Sequence, residues 1–293
     1  MSPDATAEPP VPSPPSGGAL AAVVLAAGAG TRLRPLTRLR PKPLCPVGGV
    51  PLLDRALDRV GALTPAVAVN AHHLRYQIED HLAVHRPDVQ VSVEEPEVLG
   101  TAGALGQLRW WIDGRAVVVV NADTWTTADL TPLVEGWDGE RVRVLVHGDG
   151  RFGPRADVVA SLLPWSEVHA LAAEPSGLYE RCWAPASAAG RLEPVAAGGV
   201  FFDCGTPASY LAANLHAVDL AAGGGGAGVG GPDSIVAADA VISGTVAHAV
   251  VGTGAMVAGS VVESVVWDGA TVAAGEHLRR AIRADRGLTL LVR

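Results

Sequence analysis

The stretch Leu25-Ala26-Ala27-Gly28-Ala29-Gly30-Thr31-Arg32-Leu33-Arg34-Pro35-Leu36-Thr37, continued by Arg38-Leu39-Arg40-Pro41-Lys42-Pro43-Leu44, ends a run of small apolar residues that begins at Ala21. A buried strand over Ala21 to Ala27 therefore opens into a glycine-rich cationic loop. Glycines at 28 and 30 let backbone N–H groups come close to a ligand, and such groups suit phosphate oxygens. Arg32, Arg34, Arg38, Arg40 and Lys42 fall in this loop, and no acidic residue occurs between Glu8 and Asp54. In a chain of net charge −8 the loop is a local basin for a polyanion such as a nucleoside triphosphate. It is not a P-loop, which needs Gly-Lys-Ser/Thr directly before a helix. Nor is it the fingerprint of an NAD-dependent dehydrogenase, because no acidic residue stands about 20 positions on to take the ribose.

Outward from this loop the pattern alternates. A helix is predicted from Pro51, a strand over Ala66 to Asn70, a helix over His73 to Val84 and a strand over Val89 to Val93. A helix over Ala102 to Ile112 and a central strand over Val117 to Val120 follow. Continuous β-branched runs separated by helical patterns mean strands covered on both faces, hence an α/β, Rossmann-like, mostly parallel sheet with its ligand at the carboxyl ends of the strands. This domain is expected over residues 19–220, although the pattern from Arg141 to Leu220 is irregular and assigns no elements. A Gly-rich linker is read over 221–232. Beyond it Val241, Val246, Val251, Val257, Val262, Val266 and Val272 recur at four to six residues among Gly, Ala, Ser and Thr. That recurrence predicts a short left-handed β-helix of the hexapeptide type over 233–293, with two to three coils and a capping helix over Glu276 to Arg283. Valine faces left bare by so few coils would favour a homo-oligomer. The first 18 residues read as a disordered Pro-rich tail without the basic and apolar regions of a signal peptide.

Composition narrows the function further. A pI near 5.6 argues against nucleic-acid or anionic-membrane binding. The longest apolar runs fall far short of the ~20 residues that cross a bilayer, so a soluble protein is expected. Three cysteines without paired spacing, Cys45, Cys182 and Cys204, read as core residues in a reducing cytoplasm. Of 22 basic residues only Lys42 is a lysine. An ammonium and a guanidinium are not interchangeable where a compact point charge must fit, so the single lysine asks for a chemical reason.

Leu25 to Thr37 together with Pro41-Lys42-Pro43-Leu44 resembles the signature of the sugar-1-phosphate nucleotidyltransferases, which include mannose-1-phosphate guanylyltransferases and glucose-1-phosphate thymidylyl- and uridylyltransferases. Further segments are similar in order and type: Leu99-Gly100-Thr101-Ala102-Gly103-Ala104-Leu105, Asn121-Ala122-Asp123, and Asp203-Cys204-Gly205-Thr206-Pro207-Ala208-Ser209-Tyr210-Leu211. The resemblance implies a nucleotide site formed by Leu25, Ala26, Ala27, Gly28, Gly30, Thr31, Arg32, Lys42, Gly100, Thr101 and Ala102. It implies catalytic roles for Arg32, Lys42 and Asp123, and Mg²⁺ held by Asp123 and Asp203. The substrates would be a nucleoside triphosphate and a sugar 1-phosphate, in the manner of a mannose-1-phosphate guanylyltransferase, whose members commonly carry a C-terminal β-helix.

The residue chemistry agrees, because two hard carboxylates at strand ends suit Mg²⁺, which takes the rest of its shell from water and phosphate. Taken singly, Asp123 reads equally as the N-cap of a helix over Thr124 to Leu130, and Asp203 as the cap of a helix near Pro207. Small residues in the 99–105 segment would let a flat base lie against backbone. His72 and His73, and Trp110 and Trp111, read as structural. Lys42, taken as exposed, would contribute little to folding. One departure stands out: the family's Glu-Lys-Pro, whose lysine holds the sugar phosphate, is here Ala173-Glu174-Pro175. Arg155 or Arg181 would have to substitute, and the loss leaves open a non-catalytic, sugar-nucleotide-binding regulatory subunit.

Overall fold

The computed structural model describes residues 20–223 and 233–292; the proline-rich tail at 1–18 and most of the predicted linker lie outside the described residues. In chain order the first part contains β1 (Leu20–Leu25), β2 (Pro46–Val47), β3 (Val50–Pro51), α1 (Leu52–Gly61), β4 (Val67–Ala71), α2 (Arg75–His85), β5 (Gln90–Val93), α3 (Gly100–Ile112), β6 (Ala116–Asn121), β7 (Thr124–Thr126), β8 (Val142–His147), β9 (Val158–Leu163), β10 (Leu192–Ala197) and β11 (Phe201–Asp203). The central sheet runs β10-β8-β9-β6-β1-β4-β5. It is parallel except for β9, which lies antiparallel to both β6 and β8. Ala22, Val24, Val118 and Val120 face one core, against α1, while Ala21, Val23, Val117 and Val119 face another, against α3. Burial on both faces is why these strands read as unbroken apolar runs. Helix α1 packs through Leu52, Leu53, Ala56, Leu57 and Val60, a 3.6-residue stripe.

Four expectations change. Thr124–Thr126 is a strand, not the start of a helix, and it pairs antiparallel with β11 so that Asp203 lies opposite Thr124. Asp123 is therefore no helix cap. Asp203 caps nothing either: the helix Pro207–Gly223 is capped by Thr206, whose hydroxyl accepts from the Ser209 N–H at 3.2 Å. That helix also takes up residues 221–223 of the predicted linker. The capping helix over 276–283 is absent, since His277–Arg279 and Ala281–Arg283 are the last strands of the β-helix, followed by Thr289–Leu291 folded back antiparallel.

The β-helix itself is present with a tighter repeat. Ile235, Val250 and Val265 lie in parallel register at intervals of 15 residues, as do Val241, Met256 and Thr271. The last coil lengthens to 17, pairing Ser260 with His277 and Val265 with Ile282. A strict hexapeptide coil would need 18. His248, Glu263 and Arg280 take positive φ at equivalent corners, a conformation that shortens the turn. The valine faces are covered within the chain. Val251, Val257, Val261, Val266 and Val272 fill the coil interior, and Val250, Val265 and Ile282 share a core with Tyr210, Leu211 and Val218 of the 207–223 helix. Val241 and Met256 stand out from the coil surface, 62% and 51% exposed, as does Leu291 on the folded-back strand. Most of the recurrent valines are therefore covered within the chain. Among the described residues no helix is long and apolar enough to cross a membrane.

Candidate active site

At the carboxyl end of β1 the chain turns away from the sheet. Gly30 adopts φ 56°, where a Cβ would also meet the Thr37 methyl at 2.8 Å, so this glycine is required by the turn. Gly28 differs: a Cβ there would meet nothing within 4 Å, and the space above it belongs to a cavity. Two short 3-10 turns, Leu36–Arg38 and Lys42–Leu44, bring the chain back beneath β6. The Thr37 hydroxyl donates to Gly30 O at 2.9 Å, and His73 Nε2 lies 2.8 Å from Thr37 O, which gives that histidine its structural role.

The return delivers Lys42 to the two aspartates. Its Nζ donates to Asp123 Oδ2 at 2.9 Å and to Asp203 Oδ1 at 3.1 Å, and Arg32 donates to the other oxygen of Asp203 at 3.1 Å. The β7–β11 pair makes this possible, because it sets residues 80 apart in sequence side by side, with Cys204 N–H on Asp123 O at 3.3 Å. Lys42 is not exposed as expected; only 4% of it reaches solvent, whereas its partner carboxylates are nearly half open. Burial pushes the Asp203 carboxyl up, but the charges and hydrogen bonds of Lys42 and Arg32 outweigh this and hold it below its ordinary value. Neighbouring Cys204 is pushed up to about 12 by burial and takes no part as a thiolate.

Asp123 and Asp203 already share one cation, the ammonium. Two converging carboxylates, open to water on one side, fit the needs of Mg²⁺, which keeps waters and takes phosphate oxygens for the rest of its shell. Among the described residues no third acidic, histidine or cysteine side chain joins them.

Two adjoining cavities, each of about 220 Å³, flank the end of β6 and share Leu25, Thr101 and Asn121. The first is bounded by Ala27, Gly28, Asn70, Val98, Gly100 and Asp123, the second by Val158, Ala160, Leu178, Tyr179, Glu180 and Trp183. Leu25, Ala27, Gly28, Gly100, Thr101 and Asp123 are thus brought together around the first cavity. Arg32 and Thr31 stand exposed beside the first cavity's loop. Ala26 and Ala102 are turned into the protein: Ala26 N–H bonds Asn70 Oδ1 at 2.6 Å, and Ala102 N–H bonds Ser176 O at 3.0 Å. Within the 99–105 segment Gly100 and Thr101 line the first cavity, while Gly103 serves packing. A Cβ at Gly103 or Gly106 would lie 2.2 Å from the carbonyl oxygen of Glu174 or Ala172, so α3 rests directly on the 172–174 backbone. Neither Arg155 nor Arg181 lines either cavity, and Arg181 is paired with Glu174 at 2.6 Å.

Several site residues escaped the sequence reading. Asn70 and the fully buried Glu94 form a bridge from β1 to α3: Asn70 Nδ2 donates to Glu94 Oε1 at 2.7 Å, and Leu99 N–H donates to Glu94 Oε2 at 2.7 Å. An acid at the carboxyl end of a strand was the available signal. Asn121, at the seam of both cavities, lay within a quoted motif but went unassigned. Tyr179 and Trp183 sit on a π-helical turn, Tyr179–Trp183, inside the stretch whose periodicity gave nothing.

A cavity beside Gly28, a cationic loop and paired carboxylates at the strand ends suit an enzyme that transfers nucleotidyl groups. The comparisons agree. Residues 21–146 match the family model described as nucleotidyl transferase. The N-acetylmuramate alpha-1-phosphate uridylyltransferase of Caulobacter vibrioides is 31% identical over 231 residues, 67% of this chain and 96% of that protein. The mannose-1-phosphate guanylyltransferase of Mycobacterium tuberculosis is 31% identical over 140 residues, 46% of this chain and 38% of that protein. A Bacillus anthracis protein described as a glucose-1-phosphate thymidylyltransferase shares the fold, with a TM-score of 0.58 at 19% identity over 68% of this chain and 95% of that one. This chain belongs to the sugar-1-phosphate nucleotidyltransferase family.

Proposed function

We propose that the chain transfers a uridylyl group from UTP to a neutral sugar 1-phosphate. The observation that carries nucleotidyl transfer is the Lys42 ammonium held between Asp123 and Asp203 at the edge of the cavity above Gly28. Uridylyl specificity is supported by the likeness to a uridylyltransferase over 96% of its length. An acceptor phosphate oxygen attacks the α-phosphorus in line; that P–O bond forms as the bond to the β-phosphate bridging oxygen breaks, and its electron pair leaves with pyrophosphate. No protein nucleophile is needed, because the acceptor is already an anion and the work is positioning and charge neutralisation. Lys42 would neutralise the α-phosphate, while Arg32 and the loop N–H groups would hold the departing pyrophosphate. Asp123 and Asp203 would hold Mg²⁺, which supplies charge neutralisation to the phosphates.

The second cavity would take the sugar, with Asn121 at the seam where donor and acceptor phosphates meet. Its lining contains Glu180 and no cation, which favours a neutral ring over an acidic one. Trp183 Nε1 is buried without a partner, a donor that an acceptor oxygen would satisfy. Guanylyl transfer to mannose 1-phosphate is the second reading, favoured by the mycobacterial relative.

A pyrophosphate-release screen across five common triphosphates and a panel of sugar 1-phosphates tests both. UTP with a neutral sugar 1-phosphate is expected to give the highest kcat/KM. Preference for GTP with mannose 1-phosphate would establish the second reading. No turnover with any pair, alongside tight binding of a nucleotide sugar, would indicate the regulatory subunit.

A further inference from the structure

The two flanks of the Lys42 turn converge on one residue of the β-helix. On the N-terminal flank the Arg40 guanidinium lies over the Trp267 indole at 4.7 Å, with Nη1 donating to Asp268 at 3.2 Å and Nη2 reaching Asp285 at 3.5 Å. On the C-terminal flank Pro46 O accepts from the Tyr210 hydroxyl, which itself accepts from Trp267 Nε1 at 3.0 Å. Trp267 is fully buried, and Tyr210 lies on the helix that follows Asp203. One indole therefore meets the N-terminal end of the segment that carries the only lysine directly and its C-terminal end through Tyr210, which lies on the segment that carries one of the two carboxylate partners.

We infer that Arg40 and Trp267 are positioning residues that fix the Lys42 ammonium, so that the β-helix is part of the catalytic unit and not an appended module. A buried ammonium between two half-exposed carboxylates has little latitude. Its place depends on a backbone of short 3-10 turns whose own hydrogen bonds span no more than four residues, and a shift of an ångström or so at such a charge is costly for turnover. The cation–π stack and the two ion pairs supply from outside what the turns lack internally. Gln77 adds a third tether, donating to Leu39 O at 3.1 Å from α2.

The inference rests on the proposed activity, and its test separates the two. Arg40→Gln, and Asp268→Asn combined with Asp285→Asn on the partly exposed β-helix rim, would be assayed at a temperature where circular dichroism shows each fully folded. A kcat lower by about 10-fold with KM for both substrates within about twofold is expected. In a Lys42→Met background Arg40→Gln should then change kcat no further, because the two act in series. Hydrogen exchange over residues 36–48 should quicken by about 10-fold in both variants, whatever the reaction catalysed. Unchanged exchange over 36–48, or an equal loss from Arg40→Gln with and without Lys42, would overturn the positioning role. A wild-type chain that turned over no substrate pair would overturn the proposed activity instead, leaving the exchange result to decide the coupling.

Discussion

The Lys42 ammonium stands 2.9 Å from the Asp123 carboxylate and reaches Asp203 with its next hydrogen, so the protein carries its own cation at the point where its two acids converge. A divalent ion entering there would meet that ammonium, and their repulsion would fall if a bound phosphate drew the lysine aside. Mn²⁺, followed by electron paramagnetic resonance, should bind the free protein weakly and the complex with a non-hydrolysable nucleotide at least about 10-fold more tightly. Lys42→Met should bind Mn²⁺ well without nucleotide. Equal affinity with and without nucleotide in the wild type would count against a shared cation site.

Turnover should depend on the ammonium itself. Lys42→Met is expected to lower kcat by about 10²–10³-fold, the scale of one lost preorganised donor. Lys42→Arg should fail in large part as well, because a planar fork does not fit where a point charge bridges two carboxylates. Since Lys42 is buried and doubly paired, its loss should also lower the thermal midpoint by a few degrees, about 1 kcal/mol, which differential scanning calorimetry would read. Near-normal pyrophosphate release in Lys42→Met would remove the centre of the mechanism.

Acid should weaken the fold through Asp203. Its carboxyl is held below the ordinary value of 3.8, so the folded state binds this proton less readily than the unfolded chain. The stabilisation is fully present above 3.8 and is lost as pH falls through the lower folded value. Denaturant unfolding between pH 5 and about 2.5 should show a shallower decline in Asp203→Asn than in the wild type. Identical slopes would deny the carboxylate its favourable pairing.

Burial pushes Cys45, Cys182 and Cys204 up to about 12 from 9.0. The folded chain should therefore leave all three unreacted with Ellman's reagent at pH 8 and expose them only in guanidinium. Because unfolded thiols ionise first, stability should also decline as pH rises above 9.0 towards 12. Rapid labelling of the native protein would show that this core opens.

Removing residues 233–293 should not leave an intact catalytic domain. Val250, Val265, Trp267 and Ile282 complete a core with Leu36, Cys45, Val47 and Tyr210, and the deletion would bare it. The truncated chain is expected to aggregate or bind a hydrophobic dye strongly. A monomeric, folded fragment with wild-type nucleotide affinity would contradict this.

The central sheet and the paired aspartates were legible because each rests on a local signal: two-sided burial gives continuous apolar runs, and Lys42, Asp123 and Asp203 occur in recognisable segments. What was not legible depends on contacts distant in sequence. Asp123 is freed from a capping role only because β7 finds β11, and nothing in Thr124-Trp125-Thr126 alone says so. Lys42 is buried by neighbours up to 161 residues away, which no inspection of a Pro-Lys-Pro tripeptide reveals. The 276–283 segment reads as a helix by composition, yet it forms strands because the preceding coil offers open strand edges to pair with. Residues 172–176 lack periodicity since they fold as irregular turns against the glycines of α3, and Tyr179–Trp183 continues them as a single π-helical turn.

Those glycines have a bearing on how this enzyme family diversifies. Gly103 and Gly106 put α3 in direct contact with the 172–174 main chain, and that main chain leads into Gly177 and Leu178 of the second cavity. The two walls of the cavity, Thr101 on one side and Leu178 on the other, are joined by the Leu178 N–H donating to the Thr101 hydroxyl at 2.7 Å, beside a place where backbone touches backbone. Substitutions at Tyr179, Glu180 or Trp183 would then change the side chains that line the cavity while leaving the backbone of its walls in place. Wedging a methyl group beneath the helix at Gly103 or Gly106 would move the entire wall at once.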